Sequence, residues 1–242
     1  MAIKAYRKKS PLSYTLGAYP TMELILHAPE LIQGIYIHPK IDPPLRDKMT
    51  EHAKSLNKRV IESSSIERLS GKGNTFVAAS FMKQQQTLSE KNPHLVLVEP
   101  SNYGNVGTIL RSALGWDYRD IALVEPAADP FHPSCVRASM GAHFRLRIRL
   151  FPSIEVYQKE YPDHQLWSLM TRRAQYLEEV EHFAHLHSLI LGNESRGLPD
   201  YFADFTSPLT IDTTDAIDSL NITLAAAIAM HYVYTKKRPI RR

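Results

Sequence analysis

Short apolar segments that alternate with helical stretches constrain the fold of this chain more than any other feature. They dominate residues 92–242, where most of them are separated by residues with the apolar spacing of helices. The alternation predicts an α/β protein whose largely parallel sheet is covered by helices on both faces. The predicted strands are Leu95–Glu99, Ile121–Val124, Leu146–Leu150, Gln165–Leu169, Leu189–Leu191 and Leu209–Ile211.

A polar linker, KQQQTLSEKNP at residues 83–93, separates this region from a shorter one before it. We therefore predict two domains, residues 1–91 and residues 92–242. Apolar spacing in the first domain indicates a small α/β unit. Its expected helices are Glu23–Leu31 and Asp42–Leu56, and its expected strands are Gly34–His38, Arg59–Glu62 and Thr75–Ser80.

Composition excludes several classes of protein. Hydrophobic residues make up 43% of the chain, which is ample for a packed core and argues against disorder. The apolar run Leu224–Met230 is far shorter than the ~20 residues that cross a bilayer. The N-terminus lacks the apolar region of a signal peptide, and the single cysteine, Cys135, excludes an internal disulfide. These features favour a cytoplasmic protein without a membrane segment.

Positive charge is concentrated in the first domain. Residues 1–91 contain 14 Lys and Arg against 8 Asp and Glu, whereas residues 92–242 contain 15 against 17. A polyanion would bind to the basic part of the chain. A soluble surface that is basic without a partner is the alternative, and charge alone slightly favours this alternative.

The loop after the first strand of the second domain is the first candidate for ligand binding. Ligands of parallel α/β sheets bind at the carboxyl ends of the strands. This loop, Asn102–Arg111, contains glycines that let the backbone approach a ligand closely. A helix beginning near Thr108 would offer free N–H groups to an anion, with Arg111 about one turn into it. The segment matches neither GxGxxG nor a Walker P-loop, so an ordinary glycine turn is the alternative.

A second glycine-rich loop, Gly192–Pro199, follows another apolar strand. It carries Glu194, a carboxylate that the sheet geometry brings near the same ligand pocket. Taken by itself, this segment is better explained by a solvated glutamate in a turn.

The third segment, Leu209–Tyr234, combines a strand, the polar loop DTTDAID and an apolar helix. Ser219 is predicted to cap the helix, and Lys236–Pro239 supplies its stop signals. A capped core helix does not explain Asn221, whose amide in the first turn indicates a specific polar role. Residues spaced by four are predicted to form a buried stripe: Leu220, Leu224, Ile228 and Tyr232.

Two further patterns involve basic side chains. Four of them alternate with apolar residues in the predicted strand around residue 147, namely His143, Arg145, Arg147 and Arg149. They could line a track for RNA or protect an exposed edge strand, and both readings stay open. A histidine group has the spacing of no known zinc site, so solvated side chains are expected at His182, His185 and His187.

The three loop segments, in this order and spacing, resemble motifs 1, 2 and 3 of the SpoU–TrmH family of RNA ribose 2′-O-methyltransferases. The matching stretches are NYGNVGTILRSALGW, LILGNESRGLP and LTIDTTDAIDSLNITLAAAIAMHYVY. The intervening stretch DPFHPSCVRASMGA is also similar to the family. The resemblance covers residues 92–242. Residues 1–91 resemble, more weakly, the ribosomal-protein-L30-like RNA-binding domain that often precedes the catalytic domain.

This resemblance implies an S-adenosylmethionine-dependent enzyme that needs no metal and methylates a ribose 2′-oxygen of RNA. It implies a SPOUT-type α/β domain with a deep trefoil knot near the C-terminus, an exception to the usual absence of threaded chains. It also implies a homodimer with the donor sites next to the subunit interface. The two-domain layout is more similar to family members that act on ribosomal RNA than to those that act on transfer RNA.

Matched positions imply the residues of the site. The implied catalytic residues are Arg111, Asn102, Glu194, Ser219 and Asn221. The residues implied to hold S-adenosylmethionine, largely through their backbone, are Gly192, Asn193, Ile211 and Leu220. One position departs from the family pattern, because Asp218 stands where some members carry an arginine.

The chemistry of the reaction suggests what the catalytic arginine does. A cationic sulfonium donor and an alcohol of high pKa must be aligned, and the developing alkoxide must be stabilised. Arg111 could stabilise that charge or accept a proton with the help of a phosphate, and both roles stay open because an unperturbed guanidinium is a poor base.

Two other classes of function compete with a methyltransferase. A catalytically silent RNA-binding protein of the same fold is disfavoured by the intact set of polar motif residues. An α/β enzyme of small molecules or nucleotides is disfavoured by the missing phosphate-binding motifs and by the basic first domain.

Overall fold

The computed structural model describes residues 3–70 and 75–237. By its internal contacts the chain forms two compact units. Unit 1 contains the described residues up to Gln84 together with Asp129–Arg145, and unit 2 contains Gln85–Ala128 and the described residues from Leu146 onward. The sequence pattern gave no sign that Asp129–Arg145 packs with the N-terminal residues. The division at residue 91, which rests on the polar linker, stays a prediction.

Unit 1 is a small α/β fold, as its apolar spacing predicts. Its four-stranded sheet has the order β1-β4-β2-β3, in which only β2 and β3 are parallel. The first helix begins at Ala18 rather than near Glu23, directly after Gly17, whose φ of 108° is one that glycine adopts readily. Numbered in chain order, the elements are β1 Leu12–Leu16, α1 Ala18–His27, β2 Ile32–Ile37, α2 Pro43–Ser55, β3 Val60–Glu62, α3 Ile66–Ser70, β4 Val77–Met82 and α5 Pro133–Ala138.

The core of unit 1 joins its N-terminal elements to the inserted segment. Leu24 of α1, Met49 of α2 and Phe81 of β4 belong to one buried apolar cluster that also contains Val136 of α5. Burying side chains of this size typically contributes about 1.5–3 kcal/mol each. The inserted segment is therefore held to unit 1 by hydrophobic packing.

Unit 2 is built on a seven-stranded sheet in which every strand is parallel to its neighbours. All six predicted strands are present within a few residues of their expected bounds, which confirms the α/β fold class. The seventh, β9, was not predicted because it spans only two residues. The strands are β5 His94–Val98, β6 Asp120–Val124, β7 Arg147–Phe151, β8 Gln165–Leu169, β9 Gln175–Tyr176, β10 His187–Leu191 and β11 Ser207–Thr210, in the order β7-β6-β5-β10-β8-β11-β9.

Three helices accompany this sheet: α4 Tyr103–Gly115, α6 Ile154–Glu160 and α7 Ile222–Lys237. On one face, Val96, Phe151 and Tyr157 belong to a buried cluster. Helices α4 and α7 pack against each other and α7 also contacts β10, so the sheet carries the helices that a parallel sheet requires. Among the described residues, none of the helices has the length and apolar character needed to cross a membrane. The trefoil knot stays a prediction.

The predicted buried stripe on α7 is wrong. Leu224 is 57% exposed and Ile228 is 40% exposed. The helix instead buries a face that contains Ala226, Ala229 and Met230. Small side chains allow α7 to approach its neighbours closely, and this packing leaves the row spaced by four residues outside. The last described residue is Lys237, and the stop signals Arg238 and Pro239 lie outside the described residues.

The strand of alternating charge is shorter than expected. His143 and Arg145 belong to a 3-10 turn of unit 1, so only Arg147 and Arg149 lie on β7. Arg147 forms an ion pair of 2.5 Å with Asp120 of β6, and Arg149 pairs with Glu160. Since β7 is an edge strand and both guanidinium groups are paired, the structure favours a charged protected edge over an RNA track.

Buried polar side chains gather at the amino ends of the parallel strands. The prediction of a solvated His187 is wrong, because this residue is fully buried at the start of β10. Its Nε2 lies 2.7 Å from Tyr118 Oη, and its Nδ1 lies 2.7 Å from the carbonyl oxygen of Ala184. At the start of β5, His94 is likewise held, 2.8 Å from Tyr157 Oη. Burial lowers the pKa of His187 to about 3, with Lys237 adding to the shift, so its ring is neutral at pH 7.

Candidate functional site

A pocket of about 400 Å³ lies at the opposite edge, where the strands of unit 2 reach their carboxyl ends. It is formed by the loops that follow β8, β10 and β11, which are consecutive in the sheet, and by the start of α7. This is the position at which ligands of parallel α/β sheets bind. The lining residues are 169–171, 191–197, 209–211, 213, 218–220, 222 and 225.

The loop after β10 owes its shape to Gly192. Asn193 and Gly197 exchange two backbone hydrogen bonds of 3.2 and 2.9 Å, which fold the loop back on itself. A Cβ atom on Gly192 would lie 2.2 Å from the carbonyl carbon of Gly197, closer than any real contact. The loop therefore requires glycine at this position for its own packing, and its backbone is left bordering the pocket.

The side chain of Asn193 fixes this loop to the end of β5. Its Oδ1 accepts hydrogen bonds from the backbone N–H groups of Ser195 and Arg196, at 3.0 and 3.2 Å. Its Nδ2 donates to the carbonyl oxygen of Glu99 at 2.8 Å. Asn193 lines the pocket as predicted, but the amide is engaged within the protein.

Glu194 connects the second motif to the first. One carboxylate oxygen accepts from the Ser101 backbone N–H at 3.0 Å and from the Ser101 hydroxyl at 2.8 Å. The other accepts from the Asn102 backbone N–H at 3.0 Å. Partial burial acts to raise the pKa of Glu194, but these hydrogen bonds outweigh burial and the pKa is lowered. The carboxylate is therefore ionised at neutral pH and holds the loop before α4.

Asn102 is the N-cap of α4. Its Oδ1 accepts hydrogen bonds from the backbone N–H groups of Gly104 and Asn105, at 2.8 and 3.0 Å. Because the capped helix begins at Tyr103, the expected start near Thr108 is wrong. The glycines of motif 1 therefore lie inside the helix rather than in a loop.

This earlier start moves Arg111 to about two turns into α4 instead of one. The side chain is exposed and makes no hydrogen bond or ion pair with any residue that the structure describes. It is not among the described residues that line the pocket of its own chain. The arginine is thus a free guanidinium on the surface of α4.

The third motif supplies both a pocket wall and a helix cap. Ser219 and Leu220 line the pocket, as does Ile211 at the end of β11. Ser219 is not the N-cap, because α7 begins only at Ile222. Asn221 is the N-cap instead, since its Oδ1 accepts hydrogen bonds from the backbone N–H and the hydroxyl of Thr223, at 2.8 and 2.6 Å. Capping the helix is therefore the specific polar role that was predicted for Asn221.

Some of the predicted catalytic and donor-binding residues line the pocket, and others do not. Those that line it are Gly192, Asn193, Glu194, Ile211, Ser219 and Leu220. Those that do not are Asn102, Arg111 and Asn221.

Sequence reasoning missed the loop after β8, where Met170 and Thr171 line the pocket. The strand itself was predicted, and the rule that ligands bind after such strands was the signal that could have found them. What was lacking was the position of β8 between β10 and β11.

No group of three or more His, Cys, Asp or Glu side chains is placed to hold a metal ion in the part of the chain that the structure describes. Glu194 and Asn193 at the pocket are instead engaged in hydrogen bonds between loops.

A parallel α/β sheet, with a pocket at its carboxyl edge walled by three polar loops of which the one after β10 contains glycines, is typical of proteins that bind a nucleoside-sized ligand. The chain belongs to the SpoU rRNA methylase family, whose model matches residues 92–231. This confirms the family that the three motifs predicted.

Individual relatives cover the chain unevenly. It is 33% identical over 139 residues to a ribosomal RNA small subunit methyltransferase G 2 from Syntrophobacter fumaroxidans, covering 56% of this chain and 26% of that protein. It is 26% identical over 162 residues to the 23S rRNA (guanosine(2553)-2′-O)-methyltransferase RlmP of Bacillus subtilis, covering 65% of this chain and 64% of that one. The chain thus spans less than two thirds of either relative.

Among solved structures, an AdoMet-bound rRNA methyltransferase from Sinorhizobium meliloti has a TM-score of 0.79 and 20% identity to this chain. The similarity covers 96% of this chain and 90% of that one. It confirms the fold over both units.

Proposed function

We propose that this protein transfers a methyl group from S-adenosylmethionine to a ribose 2′-oxygen of structured RNA, ribosomal more than transfer RNA. The observation that carries the proposal is the convergence of motifs 2 and 3 on one pocket, with Glu194 linking motif 1 to it. Membership of the SpoU rRNA methylase family and the activity named for the Bacillus subtilis relative support it. We also propose that the protein acts in the cytoplasm.

The pocket fits S-adenosylmethionine. Its volume of about 400 Å³ lies within the usual range for sites of small ligands. The requirement for Gly192 leaves a wall of bare backbone, and the half-buried Ile211 and Leu220 offer an apolar surface for an adenine ring. We assign donor binding to the backbone of Gly192, Asn193, Ile211 and Leu220. When bound, S-adenosylmethionine supplies an electrophilic methyl group on a sulfonium.

The side chains divide into those that can face the reacting atoms and those that position them. Glu194, Asn102 and Asn221 are engaged in hydrogen bonds within the protein, so we assign them to positioning. Arg111 has a free guanidinium that can stabilise the alkoxide developing at the 2′-oxygen. Ser219 lines the pocket and is exposed, so its hydroxyl is available to the substrate ribose.

We further propose a homodimer. Arg111 does not line the pocket of its own chain, although the reaction requires the two to act together. Helix α4, which carries Arg111, packs against α7, and α7 exposes Leu224 and Ile228. Exposed apolar side chains of this size are typical of an interface when they lie together on one helix. A second copy that covers them would bring more of the site together.

The oligomeric state can be tested by light scattering at micromolar concentration. The wild type should have twice the mass of one chain, and the double variant Leu224→Glu with Ile228→Glu should be monomeric. Leu26→Glu is the matched control, since this leucine of unit 1 is also 57% exposed. A monomeric wild type would contradict the proposed dimer.

Residues 1–91 are proposed to recruit RNA, in the manner of an L30-like domain. Residues 1–91 carry 14 basic against 8 acidic residues, and Lys48 and Lys54 are exposed on α2. Contacts with phosphate release counterions, so the affinity should fall steeply with salt. The double variant Lys48→Glu with Lys54→Glu should bind RNA more weakly with a shallower salt slope, while its affinity for S-adenosylmethionine is unchanged. An unchanged slope would contradict this role.

The proposed reaction is tested by incubating the protein with tritiated S-adenosylmethionine and RNA from a strain that lacks the gene. Label should appear in a dinucleotide that resists alkaline hydrolysis, because methylation of the 2′-oxygen blocks cleavage of the adjacent phosphodiester. Label in a base with none in such dinucleotides would overturn the assignment to ribose. Comparison of separated ribosomal and transfer RNA would identify the substrate class.

A further inference from the structure

Asp218 lines the pocket but has no role in the proposed binding of the donor or in the proposed reaction. It stands directly before Ser219, at the position where the sequence departs from some members of the family. It lines the pocket and is exposed. No hydrogen bond or ion pair links it to another residue within the described ranges.

The other charged side chains of the pocket wall already have partners within the protein. Glu194 is bound by the N–H groups of the loop before α4. Arg196 forms an ion pair of 2.6 Å with Glu99. Among these three side chains, Asp218 is thus the one whose charged atoms have no partner in the described part of the chain and are free to approach a ligand.

The proposed ligand changes its charge in the reaction. S-adenosylmethionine carries a sulfonium, an ammonium and a carboxylate, and is a cation overall. When the methyl group leaves, the electron pair of the broken bond stays on sulfur and S-adenosylhomocysteine is neutral overall. Adenosine, ammonium and carboxylate are unchanged, so a nearby protein charge affects the two ligands differently.

We propose that Asp218 makes the pocket prefer the cationic donor over its neutral product. The inference rests on the proposed function, since it concerns the charge of that donor. The residue thereby assists release of S-adenosylhomocysteine after each transfer, because the attraction disappears with the sulfonium charge. An exposed pair of charges several ångströms apart should change the affinity by roughly three- to tenfold.

Calorimetry with S-adenosylmethionine and S-adenosylhomocysteine tests this without RNA or catalysis. Asp218→Asn should weaken binding of the donor by roughly three- to tenfold and that of the product by less than about twofold. Sinefungin, which carries an amine near the position of the sulfonium methyl, should follow the donor. Asp218→Glu should retain most of the preference. Asp215→Asn is the control, because it removes a charge from the same exposed loop at a residue outside the pocket wall.

The outcomes separate the alternatives. Equal weakening of donor and product would show that Asp218 binds the ammonium that both share, and would overturn the proposal. Unchanged affinities for both would also overturn it. If the wild type bound neither ligand, the proposed function itself would fail. Raising the salt concentration should reduce the wild-type preference toward that of Asp218→Asn, since an exposed charge is screened.

Discussion

The two edges of the sheet in unit 2 use polar side chains in opposite ways. At the amino edge, His94 and His187 are buried and each finds a tyrosine hydroxyl within 2.8 Å. At the carboxyl edge, Asp218 is exposed and has no partner among the described residues, and the same holds for Arg111, about two turns into α4. Between the two edges, the strands β5, β6 and β10 are completely buried.

Burial explains the difference. A polar group removed from water costs free energy unless it is hydrogen-bonded, so the amino edge can keep its histidines only in a satisfied network. The carboxyl edge is open to solvent, and charges there can remain unpaired until a ligand arrives. We therefore expect variants of the unpaired charged side chains to change activity and binding, and variants of residues that hold the fold together, at the amino edge or in the loops of the carboxyl edge, to change stability.

The largest effect is expected for Arg111→Ala. Loss of a group that stabilises a developing oxyanion typically lowers the rate by ~10²–10³. The side chain has no partner in the described part of the chain, so the melting temperature should be nearly unchanged. Donor affinity should also be retained, because a cationic donor gains little from a guanidinium. Single-turnover rate, melting temperature and calorimetry on one preparation measure all three, and a near-wild-type rate in a folded variant would remove Arg111 from catalysis.

Gly192→Ala should affect binding and stability together. The new Cβ would lie 2.2 Å from the carbonyl carbon of Gly197, so the loop must open. Such overpacking typically costs about 1–3 kcal/mol, and the displaced wall should weaken donor binding by roughly tenfold or more. Gly115→Ala is the matched control, since its Cβ would meet nothing within 4 Å. Normal donor affinity in Gly192→Ala would show that this wall does not hold the donor.

The contrast between the edges could be predicted from the sequence only in part. Six strands were found because buried parallel strands are short and apolar, and this placed the motif loops at one edge. His187 and Glu194 are both polar residues beside the same strand, and nothing in the spacing shows that one is buried and the other binds a loop. That distinction depends on which residues pack above each strand end.

Other features depended on packing between distant segments. The order of the strands in the sequence does not show that β8 lies between β10 and β11 in the sheet. For this reason the pocket wall that contains Met170 could not be predicted. The apolar spacing on α7 correctly indicated a helix, but it could not show that Ala226 rather than Leu224 faces inward. The polar motif residues were recognised through the family resemblance, whereas the capping by Asn102 was visible only in the hydrogen bonds.

Tyr118→Phe tests whether the amino edge contributes to stability and not to donor binding. It removes the hydroxyl 2.7 Å from His187 Nε2 and leaves that buried nitrogen without a partner. An unsatisfied buried group typically costs about 1–3 kcal/mol. Urea denaturation should show this loss, while calorimetry should show unchanged donor affinity. Tyr176→Phe, at a tyrosine that is 49% exposed on β9, is the control and should be neutral. A variant that lost donor binding but kept its stability would contradict the division between edges.

The smallest effect is expected for Glu194→Gln, which should lower the free energy of unfolding. The pH dependence of this loss shows whether it comes from the Glu194 carboxylate. The pKa of Glu194 is below its ordinary value of 4.5, so the ionised carboxylate stabilises the folded state above about pH 4.5. This stabilisation is lost as the pH falls through the lowered pKa. At pH 7 the variant should be less stable by about 1 kcal/mol, the typical contribution of a hydrogen bond, because partial exposure screens the charge.

The measurement is the difference in free energy of unfolding between wild type and Glu194→Gln across pH 3.5–7. Both proteins lose stability as the pH falls below about 6.5, because the unfolded chain protonates histidines that the fold keeps neutral, with a pKa lowered by burial to about 3 for His187 and about 4 for His164. That loss is common to both and cancels in the difference. The difference itself should stay constant down to about pH 5 and then shrink, since only the wild type carries the titrating carboxyl. Glu90→Gln, which removes an exposed carboxylate of unit 2, should give no difference at any pH. A difference that began to shrink near pH 6.5 would mean that Glu194 acts through the buried histidines, and the two edges would then be one coupled system.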